Sequence, residues 1–473
     1  MNELYINNHS KSMRINCGVF GSYGIPRAAE FAYLGLYALQ HRGAESAGII
    51  TTDGRDFYSH RGMGELSTVF SSPDIIETLK GDISLGHNRY STTGASDPAN
   101  IQPLFTTYWG GSVGIAHNGN IANYKALRAK LESSGAVFRT ETDTEVFLHL
   151  LARCTKKDFS ERLATALKHV KGAYSLIMIT KDSLVAARDP YGVRPLSLGR
   201  LGNGYVIASE SCAFDIMKAE YIRDVEPGEI LIVDDRGPRT AARMARKRPA
   251  ACIFEFVYFS RPDSKIFGEN VDKIRRKLGR QLAWENPVED GDIVISVPDS
   301  SNTAALGFSE ASGIRTEIGL IRNHYIGRTF ILPDQKIRDI DALIKYNPVR
   351  GAIKDKSVVV VDDSIVRGTT SRKIVSILRA AGAKKIHLRV SSPPIISPCF
   401  YGIDIPTLSE LIAHNYTVKE IRRRIGADSL AYLSIDGMVS VSKRPKTEFC
   451  TACFTGKYPI TCDELENTLR ELK

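Results

Sequence analysis

VVVVDDSIVRGTTS, residues 358 to 371, decides the fold of this chain. Four consecutive valines show no alternation, so the run reads as a strand buried on both faces, the habit of a parallel sheet covered by helices. The strand ends in two acids, Asp362 and Asp363. A hydroxyl- and glycine-rich loop then feeds a helix with Ile374, Val375, Leu378 and Ala381 on one face and Gly382 as its stop. Backbone N–H groups at the head of that helix, with the hydroxyls of Ser364, Thr369 and Thr370, suit a monophosphate, and Gly368 allows close approach. The acids suit ribose hydroxyls or a hard cation. A glycine turn before a capped helix is common by itself; the acid pair beside it narrows the reading. The GxxxxGK pattern of a nucleotide P-loop is absent.

Around this segment, DIVISVPDS (292 to 300) precedes an Ala-rich helix and TEIGLIRN (316 to 323) follows as a further strand, so the second half alternates strand and helix. His324 to Lys354 has scattered charges and no long apolar period, the character of a functional loop or lid. Before residue 236 the pattern differs. SLIMIT (175 to 180), LVAARD, YVIASES and EILIVDD are short β-like runs mixed with two helical stretches, which predicts an α+β domain with antiparallel sheet. RGPRTAARMARKRPA (236 to 250) separates the halves.

A length of 473 residues is ample for two domains, and 43% hydrophobic with 25% charged residues excludes a mainly disordered chain. No apolar run reaches a membrane span and residues 1 to 16 lack the hydrophobic centre of a secretory signal, so a cytoplasmic protein is expected. The net charge of +10 fits anionic substrates as well as nucleic acid. The basic runs Arg243 to Arg248 and Arg422 to Arg424 carry no interleaved aromatics, and the latter reads as a solvated helix face beside Val418, Ile421 and Ile425. Eight cysteines are too few for a disulfide scaffold. Cys450 and Cys453 form a CxxC that suits metal, zinc or iron–sulfur alike. Cys154 and Cys212 read as core residues, and Cys462 has no assigned place.

Four N-terminal motifs stand in order: CGVFG from Cys17, HRGAESAGI from His41, GHNRYSTTG from Gly86 and AHNGNIANY from Ala116. They resemble the N-terminal-nucleophile glutamine amidotransferases. VVVVDDSIVRGTTS closely resembles the phosphoribosyl pyrophosphate loop of type I phosphoribosyltransferases. From Cys17 to about Pro459 the chain is similar to the amidophosphoribosyltransferases, and SSPPIISPCFYGID and CFTGKYP match their iron–sulfur branch.

The resemblance implies an αββα glutaminase domain (17–245), preceded by a propeptide (1–16) and followed by an α/β phosphoribosyltransferase domain (246–473) with a parallel sheet. Cys17 would be the nucleophile. A thiol of pKa about 8.5 beside an α-amino group of about 7.7 to 8.0 is nucleophile and base together, so Cys17 must become residue one by cleavage after Asn16. Asn118 and Gly119 would form the oxyanion hole. Arg89 would hold the α-carboxylate of glutamine and Asp143 its α-ammonium, with Thr92, Arg42 and Gly43 lining the pocket. From local pattern alone, Asp143 reads equally as a helix-start acid, with Thr142 and Glu145 as a capping box. Asp362 and Asp363 would take the ribose hydroxyls and Mg²⁺, with Ser301 a third magnesium position, while Ser364, Arg367, Gly368, Thr369 and Thr370 surround the 5-phosphate. NHYIGRTF and KYNPVRG resemble the mobile loop that closes over pyrophosphate, with Arg322 and His324 at its start. Cys252, Cys399, Cys450 and Cys453 would hold a structural 4Fe-4S cluster.

The expected activity makes 5-phosphoribosylamine, glutamate and pyrophosphate from phosphoribosyl pyrophosphate, glutamine and water, at the opening of purine biosynthesis. The resemblance also implies a homotetramer inhibited by purine nucleotides, with neither nucleic acid nor membrane as partner. The rival is a phosphoribosyl pyrophosphate-sensing regulator without transferase activity, which needs a DNA-binding module; the sequence offers no helix-turn-helix outside the two domains.

Overall fold

The computed structural model describes residues 17–90, 97–323, 346–405 and 407–471. Among these, residues 18 to 243 build two antiparallel sheets laid face to face. One runs in the order Glu220–Asp224, Ser197–Leu201, Gly204–Ala208, Gly18–Tyr23, Ile83–Arg89, Ser46–Thr52, Phe57–Met63. The other runs Gly237–Arg243, Glu229–Asp234, Leu184–Arg188, Gly172–Ile179, Gly111–Ile121, Leu104–Tyr108. Period-two alternation sends neighbours to different cores. Val19 joins Leu85, Ala116 and Ile177 between the sheets, whereas Phe20 faces outward to Leu36 of the helix Ala28–Ala38. Helices Thr144–Arg153 and Phe159–Leu167 cover the second sheet through Phe147, Leu151 and Leu163. The layers are therefore αββα, and each β-like run read from the sequence supplies a strand, YVIASES only as far as Ala208. The segment 236 to 250 is less of a separator than its composition suggests, because Gly237–Arg243 pairs along Glu229–Asp234 as an edge strand.

The second domain is α/β. Strands Ile293–Ser296, Ser357–Asp362, Lys385–Val390 and Ser429–Tyr432 lie parallel in that order. The valine run divides between two cores: Val359 and Val361 pack with helices Val271–Glu285 and Asn302–Ser312, and Val358 and Val360 with helices Thr369–Ala380 and Val418–Ile425. This two-sided burial is why the run lacks alternation. TEIGLIRN does not form the expected sheet strand. Thr316 makes only an isolated bridge to Val294, and Leu320–Arg322 pairs instead with Tyr346–Pro348. Leu320 alone of its apolar residues is buried, Ile318 and Ile321 being exposed, so the segment lacks the two-sided burial of its neighbours.

Candidate active sites and cysteine cluster

The strand Ser357–Asp362 ends in the first of the two acids, and Asp362 and the following Asp363 are both buried. One Asp362 oxygen accepts the Asp363 N–H at 2.9 Å, and Asp363 accepts hydrogen bonds from Ser300, from Ser301 at 3.4 Å and from Ser364 at 2.5 Å. Ser301 precedes the helix Asn302–Ser312 but makes no capping bond; its hydroxyl turns to the acids. Burial, with the Asp363 charge adding to it, pushes the Asp362 carboxyl well up. Asp363 is also raised by burial, against the Ser300 and Ser364 hydroxyls and the Arg275 guanidinium. Two desolvated carboxyls side by side are stabilised as anions by a cation. Among the described residues no three His, Cys, Asp or Glu side chains form a single-ion cage. Mg²⁺ needs none, since it usually takes one or two carboxylates plus substrate phosphates and water, and these hard oxygens fit it.

Gly368 opens the helix Thr369–Ala380 at φ 74°, and a side chain there would lie 2.6 Å from Ile412 Cδ1. Thr369 and Thr370 occupy the helix's exposed first turn, where N–H groups have no intrahelical acceptor. Arg367 pairs at 2.9 Å with Glu410, and Arg322 at 2.7 Å with Asp299. His324 and residues 325 to 345 of the expected loop lie outside the described residues, as do Thr92 and residues 1 to 16.

In the first domain Cys17 is buried ahead of strand Gly18–Tyr23, its thiol 3.5 Å from the Tyr90 carbonyl. Burial pushes the thiol up to about 12; Arg89 opposes this, and Asp143 and Glu45 add to it. Cys17, Arg89 and Asp143 therefore share one neighbourhood. Glu45, which sequence reasoning missed although it stands inside HRGAESAGI, pairs with Arg89 at 3.1 Å. The turn at Gly43 presses on Arg89, where an added Cβ would meet the Arg89 carbonyl at 2.7 Å. Asn118 is fully buried, and its side-chain amide has no partner at either end among the described residues. A buried amide that forgoes both hydrogen bonds is costly unless a ligand supplies them.

Two sequence readings change here. The expected Thr142–Glu145 capping box is absent: Glu145 accepts N–H bonds from Arg139 at 2.9 Å and Thr140 at 2.7 Å, closing the preceding turn. Asp143 does not cap the helix with its side chain; it accepts the Ile121 N–H at 2.9 Å and faces His117 at 3.5 Å. The Arg42 guanidinium does not line a pocket. It is wholly buried against Glu210, Glu255 at 2.6 Å and Ser260 at 3.2 Å. Arg194 joins this network through Glu255 at 3.0 Å, and no motif in the sequence signals it.

The four cysteines converge from three segments. Ala251–Cys252 and Phe449–Cys450 pair in parallel with Cys252 opposite Cys450, and the Cys453 carbonyl accepts N–H bonds from Ile396 and Ser397, just before Cys399. Burial pushes the Cys252 thiol up to about 12 and raises Cys450 and Cys453 as well. Cys399 lies close enough to add to all three electrostatically. Cys252, Cys450 and Cys453 are buried and Cys399 half-buried, and among the described residues they form no single-ion cage as they stand; thiols are nonetheless the donors that a zinc or iron–sulfur centre would take as thiolates. Cys212 and Cys462 are buried, as core residues are, but Cys154 ends its helix only half-buried.

A glutamine amidotransferase domain model matches residues 87–215. The chain is 50% identical over 455 residues to amidophosphoribosyltransferase 1, chloroplastic, of Arabidopsis thaliana, covering 96% of this chain and 80% of that protein. It is 47% identical to the amidophosphoribosyltransferase of Bacillus subtilis, covering 95% of each. Among solved structures it is similar to a glutamine phosphoribosylpyrophosphate amidotransferase from B. subtilis complexed with ADP and GMP (TM-score 0.89, 47% identity, 94% of this chain and 98% of that one). It is also similar to a structure described as the allosteric regulatory enzyme of purine biosynthesis (TM-score 0.90, 47% identity, 94% and 96%).

Proposed function

The chain belongs to the amidophosphoribosyltransferases, enzymes that convert phosphoribosyl pyrophosphate and glutamine to 5-phosphoribosylamine in purine biosynthesis, and from that premise we propose how its residues divide the work. Residues 17–245 carry the glutaminase reaction and residues 246–473 the transfer, after removal of residues 1–16. The Cys17 thiol loses its proton to its own α-amino group and attacks the glutamine amide. Asn118 Nδ2 and the Gly119 N–H receive the charge that develops on the amide oxygen. The protonated amine passes its proton to departing ammonia, and water then hydrolyses the thioester to glutamate. Arg89 takes the α-carboxylate, with Glu45 setting its position, Asp143 takes the α-ammonium, and Thr92 and the backbone at Arg42 and Gly43 complete the wall.

In the second domain Ser364, Arg367, Gly368, Thr369 and Thr370 hold the 5-phosphate. Asp362, Asp363 and Ser301 would hold Mg²⁺, whose charge when bound offsets that of the pyrophosphate. Ammonia displaces pyrophosphate at the sugar C1, and it must arrive shielded because free ammonia at neutral pH is mostly protonated. Cys252, Cys399, Cys450 and Cys453 would hold a 4Fe-4S cluster as a structural tie. The similar enzyme's complex with ADP and GMP supports binding of purine nucleotides here, which we propose act as inhibitors. Exposed Trp284 and Ile318 offer apolar surface for a homotetramer, and eight unpaired cysteines suit a cytoplasmic setting.

The observation that carries this reading is the unpartnered amide of buried Asn118 in the domain that holds Cys17. The whole-chain family match sets aside a regulator without transferase activity. Incubation with glutamine, phosphoribosyl pyrophosphate and Mg²⁺ should yield glutamate and pyrophosphate in equal amounts; glutamate without pyrophosphate would refute the coupled reaction.

A further inference from the structure

The strand Gly111–Ile121 carries Asn118, Gly119 and Asn120 to the edge of the first domain, where the second domain backs it. Gly119 sits at φ 150°, and an added Cβ there would meet the Ala173 carbonyl oxygen at 2.0 Å. On its other side lies Gly402 of the second domain. A Cβ built on Gly402 would stand 2.8 Å from Gly119 C, 2.9 Å from its O and 3.1 Å from its Cα. The contact is therefore backbone on backbone, and Gly402 holds φ 98°, which strains any other residue. Neighbouring bonds fix the approach. Asn120 Nδ2 donates to the Phe400 carbonyl at 3.0 Å, and Arg194 Nε and Nη2 donate to the Tyr401 carbonyl at 3.0 and 2.9 Å. The Tyr401 hydroxyl is buried between the carbonyl and N–H of Ile460, at 2.7 and 3.0 Å.

We propose that Gly402 is a positioning residue for glutamine hydrolysis: the Phe400–Gly402 segment backs the Gly119 carbonyl from the other domain and so fixes the Cα that carries the Gly119 N–H donor. The inference rests on Asn118 and Gly119 being the oxyanion donors. An oxyanion donor acts on charge present only in the transition state, so a displaced Gly119 lowers kcat and leaves ground-state binding of glutamine through Arg89 and Asp143 in place. The phosphoribosyl site uses none of these atoms.

The test measures kcat and KM for glutamine, and ammonium-dependent synthesis, in Gly402→Ala, Arg194→Lys and Asn118→Ala. Gly402→Ala should lower kcat about 10- to 100-fold, as displacements of up to 1 Å do, with KM changed less than about 3-fold and ammonium-dependent synthesis retained. Arg194→Lys keeps the charge facing Glu255 but loses the forked grip on Tyr401, and should give the same pattern, weaker; it also decides the matter if Gly402→Ala does not fold. Normal kcat in both variants, with kcat reduced in Asn118→Ala, overturns the positioning role alone. Unchanged kcat in Asn118→Ala refutes the oxyanion reading itself. Equal loss of the glutamine and ammonium activities in both variants also overturns the proposal, since that marks a general folding defect.

Discussion

Arg42 of the first domain meets Glu255 of the second at 2.6 Å with neither side chain exposed, and the same carboxylate takes Arg194 at 3.0 Å. Glu255 remains charged because the two guanidiniums outweigh its burial. Removing its charge leaves two buried arginines under-compensated. Glu255→Gln should therefore cost about 3 to 5 kcal/mol. Urea denaturation would read this as an earlier midpoint; a loss below about 1 kcal/mol would mean that water enters the junction.

The carboxyl of Glu145 gives a pH signature. Burial would raise it, but His149 and the N–H groups of Arg139 and Thr140 prevail and hold it down to about 2. Its ordinary value is about 4.3. The folded state thus takes up the proton later than the unfolded one. The stabilisation is present above about pH 4.3 and drains as pH falls toward about 2. Glu145→Gln should show a shallower loss of stability than the parent across that window, measured by denaturation at stepped pH. Parallel curves would show that the turn is held without the charge.

The antiparallel α+β domain was legible because its apolar runs are short and its turns marked, while the αββα layering came from the family resemblance, since strands such as Gly172–Ile179 are buried throughout and carry no alternation. The phosphate loop was legible because four valines and two acids leave few alternatives. TEIGLIRN misled because its composition is strand-like while its two isoleucines face out, and facing is decided by neighbours the local pattern does not contain. The side chain of Arg42 shows the same limit. A motif fixes where a residue stands in the chain, but its guanidinium answers to Glu255, 213 positions away. Ser300 was missed in favour of Ser301 because adjacent hydroxyls cannot be told apart until the loop's geometry orients both toward Asp363.

Maturation should be visible in the mass and in the reactivity of one thiol. Burial holds the Cys17 thiol near 12, so it is almost wholly protonated at neutral pH without a local base. Active protein should begin Cys17-Gly18-Val19, and its alkylation rate should rise through about pH 7.7 to 8.0 as the α-amine becomes neutral. Intact mass checks the first and a pH series with a small alkylating amide the second. Full activity with residues 1 to 16 still attached would contradict the assignment of nucleophile.

The two half-reactions should separate by mutation. Cys17→Ala should abolish glutamine use and keep synthesis from high ammonium at raised pH, because the phosphoribosyl site supplies its own electrophile. Asp362→Asn combined with Asp363→Asn should lose both routes, since neither amide can take the cation's charge. Pyrophosphate release reports both. A folded Cys17→Ala protein inactive with ammonium would break the division of labour.

The cysteine cluster lies where three seams meet, and this sharpens what its loss should do. Cys252 N–H donates to the Val193 carbonyl of the first domain, Tyr401 N–H reaches Cys399 Sγ at 3.4 Å, and Tyr458 Oη donates to the Pro398 carbonyl at 2.7 Å. Beyond them Glu464 accepts N–H bonds from Lys125 and Ala126, at the start of helix Tyr124–Ser133. The C-terminal tail is thus stitched to the glutaminase domain as well as to the phosphoribosyl domain. A centre that pulls four thiolates together adds its binding energy to this junction, so metal occupancy and folding should be linked. Protein purified without oxygen should be brown, with broad absorbance near about 400 nm and about four irons and four sulfides per chain. Serine at Cys252, Cys399, Cys450 or Cys453 should lower iron content and the urea midpoint together. A colourless, active protein with about one zinc per chain would replace the cluster by zinc and leave both active sites as described.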